Sequence, residues 1–551
     1  MPGDLPHMSP DEFRTLGRRM VDFIADYWDS VERLPPRSNS RPGDVIAALP
    51  DQPPRNGLSS TPSHGEGVGG GFDSTASACW DPVFSDVSSI ILPALTHWQS
   101  PNFFAFFPAN ASFPAILGEM LSAGLGVQGM IWAASPACTE LEMRVLDWLA
   151  QMLDLPASFR FPQFLSRPGR EGAISPPSSG GSVIQGTASE ATLTALVAAR
   201  RRAIARAPGP PPHLVAYAST QAHSSFLKAC VIAGLASSPE DRSHVRLIDV
   251  DDDLRMRPDA LASAMREDLG AGRTPCFVMA TVGTTSSGAA DPIADIAAAI
   301  HSLPHYSSTP SSSAAPPSSS VFSSPWLHVD AAYAGSACIC PEFRPLLAGV
   351  EQADSLCLNP HKWLLTNFDC DCFFTRDAGS VVGAMDISPE YLRNSATLSG
   401  QVVDYRDWHV PLGRRFRALK LWFVIRHYGM DGLQAHIREH VRLGGLFEAL
   451  VAGDARFELA APRQLSLVCF RLRPLPGETP DRTDARNRAL LDRINASGGA
   501  YLTHTILPAT RHDPSTRYVL RMAIGATLTR EAHVRAAWHL IGGAVDEADA
   551  G

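Results

Sequence analysis

The stretch Leu358-Asn359-Pro360-His361-Lys362-Trp363 places a lysine directly after a short apolar segment, residues 355–358. A second polar insertion lies upstream, where Asp330 follows the mostly apolar residues 326–329. Short apolar runs with polar boundaries are typical of buried strands. A lone lysine is usually a solvated surface charge, so the rest of the chain must decide whether Lys362 has a chemical role.

Composition excludes several classes of partner. The chain has 551 residues, 45% of them hydrophobic, and a net charge of −9 without a basic block. We therefore expect no nucleic-acid partner and no polybasic membrane anchor. No run approaches the ~20 apolar residues of a membrane span, and the acidic N-terminus, with Asp4, Asp11 and Glu12, does not resemble a secretory signal.

The ten cysteines are scattered and form no C-x-x-C pair. This favours reduced, buried thiols in a cytoplasmic protein, and we expect no metal site. His436 and His440 are spaced i, i+4, but they lack an obvious third ligand. That spacing favours a solvated helix face over a zinc site.

Strand and helix patterns alternate through the middle of the chain. This alternation predicts an α/β fold with a mostly parallel sheet and helices on both faces. Ligands of such sheets bind at the carboxyl ends of the strands, and candidate residues stand at four of these ends: His223, Thr285, Asp330 and Lys362. The predicted strands are 213–219, 245–250, 275–283 and 326–332, with helices at 223–236, 258–269 and 291–303.

A glycine-rich turn, residues 180–192, carries the hydroxyls of Thr187 and Ser189 and leads into a helical pattern at 192–206. Backbone N–H groups and the positive end of a helix dipole can form a phosphate cradle there. An ordinary helix N-cap explains the same residues, so both interpretations stay open.

Other segments give weaker signals. Residues 97–108 contain five aromatic residues and two prolines, which suits either a wall for a flat ligand or a subcluster of the core. A helix beginning after Ser9 has an apolar stripe, which we expect to pack on a partner subunit. Three stretches rich in Pro, Ser and Gly, 55–77, 160–178 and 304–324, are predicted to be loops.

Five blocks together resemble one family. These are Asn-Pro-His-Lys-Trp (359–363), His-Val-Asp-Ala-Ala-Tyr-Ala-Gly-Ser (328–336), Thr-Glu-Leu-Glu (139–142), Gln-Gly-Thr-Ala-Ser-Glu-Ala (185–191) and Pro-Leu-Gly-Arg-Arg-Phe-Arg (411–417). In this order they resemble the aromatic L-amino acid decarboxylases, the group II pyridoxal phosphate (PLP) decarboxylases of fold type I. The resemblance implies an N-terminal helical segment (1–112), a large PLP-binding domain (113–419) and a small C-terminal α/β domain (420–551). It also implies a homodimer with shared active sites.

The resemblance implies roles for individual residues. Lys362 would form the Schiff base with PLP, Asp330 would pair with the pyridine nitrogen and His223 would stack on the ring. Tyr391, in a long connection that could close as a lid, would be the acid that protonates Cα. Further cofactor contacts would come from Thr187, Ala188, Ser189, Thr285, Ala332, Asn359 and His361. The substrate pocket would include Trp98, Phe106, Pro108, Ala109, Gln128, Met130 and Gly413.

The substrate is expected to be an aromatic amino acid, and the product its monoamine. Gly413 matches a position where members that accept indole or catechol rings have glycine. Phe106 and Ala109 stand where some catechol-preferring members have Tyr and Thr, so we expect tryptophan or 5-hydroxytryptophan to be preferred over Dopa, tyrosine or phenylalanine. Two rival hypotheses are an aromatic aldehyde synthase on the same scaffold, which the tyrosine at 391 disfavours, and a catalytically silent PLP-fold binding protein.

Overall fold

The computed structural model describes residues 7–54, 58, 78–162, 180–207, 210–303, 324–387, 394–398, 400, 402–510 and 515–550. The chain forms two compact units. The first unit comprises Met1–Phe103, Asp492–Leu502 and Leu528–Gly551, and the second comprises Phe104–Leu491 and Thr503–Thr527. Nearly all residues of the three predicted loops lie outside the described residues. The division of the chain into three parts stays a prediction.

The regular elements follow the predicted order closely. The helices are α1 (Pro10–Ser30), α2 (Asp44–Ala48), α3 (Asp81–Asp86), α4 (Phe113–Leu125), α5 (Pro136–Met152), α6 (Ala188–Arg206), α7 (Ser225–Ile232), α8 (Pro258–Gly270), α9 (Ile293–His301), α10 (Pro360–Trp363), α11 (Ala378–Met385), α12 (Ser395–Leu398), α13 (Ala418–Ala452), α14 (Pro480–Ala496) and α15 (Glu531–Ala550). The strands are β1 (Gly181–Gln185), β2 (Leu214–Ser219), β3 (Val245–Ile248), β4 (Thr274–Thr281), β5 (Trp326–Asp330), β6 (Ser355–Leu358), β7 (Asp371–Thr375), β8 (Phe457–Leu459), β9 (Leu467–Leu472), β10 (Thr503–Leu507) and β11 (Arg517–Ala523). Short 3-10 segments connect several of them.

Helix α1 of the first unit begins where its sequence predicts. The hydroxyl of Ser9 accepts from the N–H of Glu12 at 3.2 Å, and the Glu12 carboxylate accepts from the N–H of Ser9 at 2.7 Å. This capping box satisfies two N–H groups that a helix start leaves unpaired. On the apolar stripe of α1, Phe13 and Met20 are exposed, whereas Leu16 is buried.

A seven-stranded sheet is the centre of the second unit, with strand order β1-β7-β6-β5-β4-β2-β3. Strand β7 runs opposite to the other six strands of this sheet, so the predicted mostly parallel α/β sheet is confirmed. Strand β1 was not predicted, because the glycines at 180 and 181 were interpreted as a turn. The structure pairs Gly181 with Thr375, and a Cβ at Gly181 would lie only 2.5 Å from the Trp408 ring.

Alternate residues of the strands pack into two hydrophobic layers, one on each face of the sheet. Val183, Phe277 and Phe373 pack with residues of α6 and α7 on one face. Ile184, Val278 and Leu356 pack with residues of α5, α8, α9 and α13 on the other. Burial on both faces explains why these strands are almost continuously apolar.

The second unit also contains a four-stranded antiparallel sheet, in the order β10-β11-β9-β8. Helix α13 is kinked at Gly429, whose φ of 64° suits glycine. The prediction of a solvated face at His436 and His440 was wrong, because the Nε2 of His436 is buried and so is the ring of His440. That ring is 2% exposed and accepts the Trp363 Nε1–H at 2.9 Å. None of the described helices combines the length and hydropathy that crossing a membrane requires.

Candidate active site

Two neighbouring parallel strands deliver the central pair of residues. Asp330 is the last residue of β5 and lies opposite Cys357 of β6. Strand β6 ends at Leu358, and the chain turns at Asn359 into α10, which carries Lys362. Asp330 is buried, and its Oδ1 accepts the Ala332 N–H at 3.1 Å. The amine and the carboxylate therefore come from the carboxyl ends of adjacent strands.

Lys362 differs from the other two lysines of the chain. Lys228 is exposed on α7, and Lys420 pairs with the Glu119 carboxylate at 2.9 Å. Burial lowers the pKa of Lys362, and the carboxylate of Asp330 opposes this shift. A lowered pKa increases the fraction of neutral amine, which is the nucleophilic form.

An aromatic stack supports the short helix α10. The Lys362 Nζ lies 5.7 Å from the ring centroid of Phe107. Phe107 stacks on Tyr333 at 3.7 Å between centroids, and Tyr333 stacks on Trp363 at 4.9 Å. Trp363 is fixed in turn by its hydrogen bond to His440. The residue next to Lys362 is thus immobilised on one side.

The start of α6 supplies N–H groups suited to an anion. Thr187 is the N-cap residue, and its side chain makes no capping bond. The first N–H groups of a helix, here those of Ala188 and Ser189, have no acceptor within the helix. Helix α6 begins at Ala188 rather than at the predicted 192, which brings its N-terminus directly to the glycine-rich turn.

His361 and Asn359 add polar atoms near Lys362. His361 Nδ1 accepts the Cys370 N–H at 3.0 Å, so the ring proton of neutral His361 is on Nε2. Burial and the neighbouring Lys362 lower the pKa of His361 to about 3, which keeps the ring neutral. The buried Asn359 Oδ1 has no hydrogen-bond partner among the described residues.

His223 and Thr285 follow the carboxyl ends of β2 and β4. The Nδ1 of His223 accepts the Ser225 N–H at 3.2 Å. Burial lowers the pKa of His223, while Asp330 acts to raise it and Lys362 to lower it. Thr285 is exposed, and Ala332 is buried beside Asp330.

The candidate substrate-pocket residues fall into separate groups. Phe106, Pro108 and Ala109 flank Phe107. Trp98 belongs to the first unit, where it packs on Phe103 at 4.6 Å between centroids. Tyr391 lies outside the described residues.

Gln128, Met130 and Gly413 adjoin the chain around Arg414 and Arg406. Gln128 Oε1 accepts the Arg414 N–H at 3.1 Å, and a Cβ at Gly413 would lie 3.5 Å from that oxygen. The Met130 carbonyl accepts the Arg406 N–H at 2.9 Å. Arg414 is held by the buried Glu142 carboxylate at 2.7 Å. This ion pair joins two of the blocks that carried the family resemblance.

Sequence reasoning missed three side chains near Lys362 and Asp330: His328, Cys357 and Asp371. His328 and Cys357 share the face of the sheet that Asp330 occupies. Asp371 is buried, and neither carboxylate oxygen has a hydrogen-bond partner among the described residues. His328 and Asp330 are two residues apart on one strand, so the sequence could have shown that they share a face of the sheet. Their partners on β6 could not be found without the register between the two strands.

Comparison with known proteins identifies the family. Residues 73–473 match the pyridoxal-dependent decarboxylase conserved domain. The chain belongs to the pyridoxal-dependent decarboxylase family. It is 44% identical to tryptophan decarboxylase 2 of Oryza sativa subsp. japonica, over 97% of this chain and 94% of that one. It is 45% identical to phenylacetaldehyde synthase of Arabidopsis thaliana, over 98% and 96% of the two chains.

A solved structure agrees in fold. The crystal structure of Oryza sativa TDC with PLP and tryptamine matches with a TM-score of 0.84 and 41% identity, and 99% of each chain is covered. The fold type I assignment and the resemblance to group II PLP decarboxylases are confirmed. This decarboxylase is therefore a PLP-dependent enzyme.

The residues present fit pyridoxal phosphate. The N-terminus of α6 and the His361 Nε2–H offer donors for a phosphate. The buried Asn359 Oδ1, which accepts no hydrogen bond from any described residue, is a further polar atom for the cofactor. The amine of Lys362 and the buried carboxylate of Asp330 are the two groups that the aldehyde and the ring nitrogen require.

Proposed function

We propose that this protein decarboxylates an aromatic L-amino acid to its monoamine and CO2. The observation that carries the proposal is that Asp330 and Lys362 stand at the carboxyl ends of two adjacent parallel strands. The aromatic ring of Phe107, whose centroid lies 5.7 Å from the Lys362 Nζ, supports a flat substrate. The names of the similar decarboxylase and aldehyde synthase support an aromatic side chain.

Residues of this chain would share the chemistry as follows. Bound PLP supplies an electron sink for the bonding pair left at Cα when the carboxylate departs as CO2. Lys362 would hold the cofactor through its amine, and Asp330 would keep a proton on the pyridine nitrogen. His223 would cover one ring face, with Thr285 and Ala332 as further ring contacts. Phosphate would be held by Thr187, Ala188, Ser189, Asn359 and His361.

The presence of only three lysines allows a direct test of attachment. Borohydride reduction of the purified holoenzyme, followed by peptide mass mapping, should place the cofactor on Lys362. Lys362→Ala should lose the visible absorption band and all measurable turnover, and Lys228→Ala is the matched control that should keep both. Label on Lys228 or Lys420 instead would contradict the assignment.

Substrate preference is proposed to favour tryptophan or 5-hydroxytryptophan. Gly413 has no side chain to oppose a bicyclic ring, and Phe106 and Ala109 offer no hydroxyl for a catechol. Gln128 and Met130 would also adjoin the ring. The test is kcat/KM for tryptophan, 5-hydroxytryptophan, Dopa, tyrosine and phenylalanine, with amine and CO2 quantified. Equal or higher values for Dopa and tyrosine would overturn the preference.

Aldehyde synthesis is the second candidate, because a phenylacetaldehyde synthase is 45% identical over nearly the whole chain. Tyr391 would decide between the two outcomes by delivering a proton to Cα. We expect the parent protein to yield amine and CO2 without peroxide or ammonia. In the presence of air, Tyr391→Phe should consume one O2 and one water per amino acid and form aldehyde, CO2, ammonia and hydrogen peroxide, because O2 then takes the two electrons from the carbon that is not protonated. Peroxide and ammonia from the parent protein in proportion to CO2 would instead favour the synthase.

A homodimer is proposed from an exposed apolar helix face. Helix α4 buries Ala115, Gly118 and Ser122. The same helix exposes five large apolar residues: Phe113, Leu117, Met120, Leu121 and Leu125. Exposed patches of this kind mark interaction sites, and a second copy would cover this one. A cytoplasmic location is supported by nine buried cysteines without a disulfide.

A further inference from the structure

A row of polar side chains lies beneath Asp330, on one face of two adjacent strands. Trp326, His328 and Asp330 alternate along β5, and Ser355 and Cys357 alternate along β6. The register pairs His328 with Ser355 and Asp330 with Cys357. Because side chains alternate between faces with a period of two, all five point into the same layer.

The distances connect them into a chain. Trp326 Nε1 donates to Ser355 Oγ at 2.7 Å, and Ser355 Oγ lies 2.8 Å from His328 Nδ1. His328 Nε2 is 3.8 Å from Cys357 Sγ, which is 4.0 Å from Asp330 Oδ1. The last contact is at the outer limit of a thiol hydrogen bond.

The direction of the chain follows from its proton count. An indole N–H can only donate and a carboxylate can only accept. Burial lowers the pKa of His328 to about 4, so the imidazole is neutral and carries one proton. If Ser355 donates to Nδ1, that proton is on Nε2 and faces Cys357, whose own S–H is then left for Asp330.

The opposite tautomer satisfies fewer groups. His328 Nδ1–H would donate to Ser355 Oγ, which already accepts from Trp326. Nε2 would then take the thiol proton away from Asp330. Burial raises the pKa of Cys357 well above its ordinary value, so the thiol keeps its proton and remains a donor. Only the first arrangement directs every donor toward Asp330.

We propose that Trp326, Ser355, His328 and Cys357 form a relay that holds Asp330 as an oriented anion. His328 and Cys357 are thus positioning residues, since they act through Asp330. The Ala332 N–H and the thiol both address Oδ1, which leaves Oδ2 as the oxygen presented to the cofactor nitrogen. The inference rests on the role of Asp330 in the proposed function.

The test removes links one at a time from the holoenzyme. Cys357→Ala and Ser355→Ala should each weaken cofactor retention about 2- to 10-fold, the range of one modest hydrogen bond. Retention is measured by equilibrium dialysis against PLP, with the visible absorption band followed over pH. The acid limb of the absorption curve, meaning its low-pH side, should move to higher pH in both variants, because losing a hydrogen-bond donor disfavours the anion.

Other titratable groups that face Asp330 also contribute to this pH profile. They are His223 after β2, Lys362 on α10, Cys357 on β6, Asp371 on β7 and His328 on β5 itself. Each single variant must therefore be compared with the parent over the same pH range.

Two further variants separate a relay from simple packing. Cys357→Ser keeps a hydroxyl donor and should restore retention. The double variant Ser355→Ala/Cys357→Ala should be no worse than the more damaging single change, because both break one chain. Cys276→Ala is the matched control, a buried thiol of β4 in the same layer, and it should leave retention and the acid limb unchanged.

The outcomes are distinguishable. If Asp330→Asn weakens retention but Cys357→Ala and Ser355→Ala do not, the relay is wrong and the proposed function stands. The relay is also wrong if the losses of retention in Ser355→Ala and Cys357→Ala add up in the double variant and Cys276→Ala causes a similar loss. If Asp330→Asn itself changes neither retention nor spectrum, the proposed function fails first.

Discussion

At the scale of single residues, Asp371 is a buried acid whose two carboxylate oxygens have no hydrogen-bond partner in the described part of the chain. Burial raises its pKa well above the ordinary value, and nearby Asp330, Cys370 and Glu190 add to the shift while Lys362 opposes it. The unfolded chain therefore ionises at lower pH than the folded one, so Asp371 costs stability progressively as pH rises above about 4.

Asp371→Asn should remove this loss. The unfolding midpoints of variant and parent should converge near pH 4.5 and separate toward pH 8, with the variant more stable by about 1–3 kcal/mol. Differential scanning fluorimetry across this range is the measurement. Asp369→Asn is a control of opposite sign, because Arg417 lowers the pKa of Asp369 despite its burial. Parallel pH profiles for Asp371→Asn and the parent would contradict the prediction.

The same scale shows what the sequence could reveal of the site. Lys362, Asp330 and His223 were predicted from strand ends, because carboxyl ends of parallel strands meet at one edge. The contact of Cys357 with Asp330 could not be predicted, since it depends on the register between β5 and β6. His440 was misjudged because helical spacing alone does not show which face of α13 meets Trp363.

At the scale of elements, α4 and α13 cross closely at Gly118. A Cβ at Gly118 would lie 2.6 Å from the Lys420 Cα, which is backbone and cannot move aside alone. Gly118→Ala should therefore lower the free energy of unfolding by about 1–3 kcal/mol. Gly124 lies on the same helix with nothing within 4 Å of its added Cβ. Gly124→Ala should stabilise by about 0.5–1 kcal/mol, and equal effects of both changes in urea unfolding would contradict the argument.

Most elements were predictable because hydrophobic period and helix caps agree with the final packing. Strand β1 shows where this fails. Gly181–Gln185 is short, begins with glycine and is fully buried, so it shows no alternation of apolar and polar residues, and Val183 and Ile184 alone do not mark it as a strand. The segment is a strand because it pairs with β7, and this pairing joins residues far apart in sequence.

At the scale of the whole molecule, the exposed face of α4 should govern assembly. Leu117 is 51% exposed and Leu121 is 43% exposed, and the two residues lie one turn apart on α4. Placing two carboxylates in an apolar interface leaves buried charges unpaired, which is strongly unfavourable. Leu117→Asp/Leu121→Asp should therefore shift the mass in sedimentation equilibrium from twice 59.2 kDa to the mass of one chain. Ile232→Asp, an exposed apolar residue of α7, should leave the mass unchanged. A parent protein that sediments as a monomer, or a double variant that stays dimeric, would show that this face is not the subunit interface.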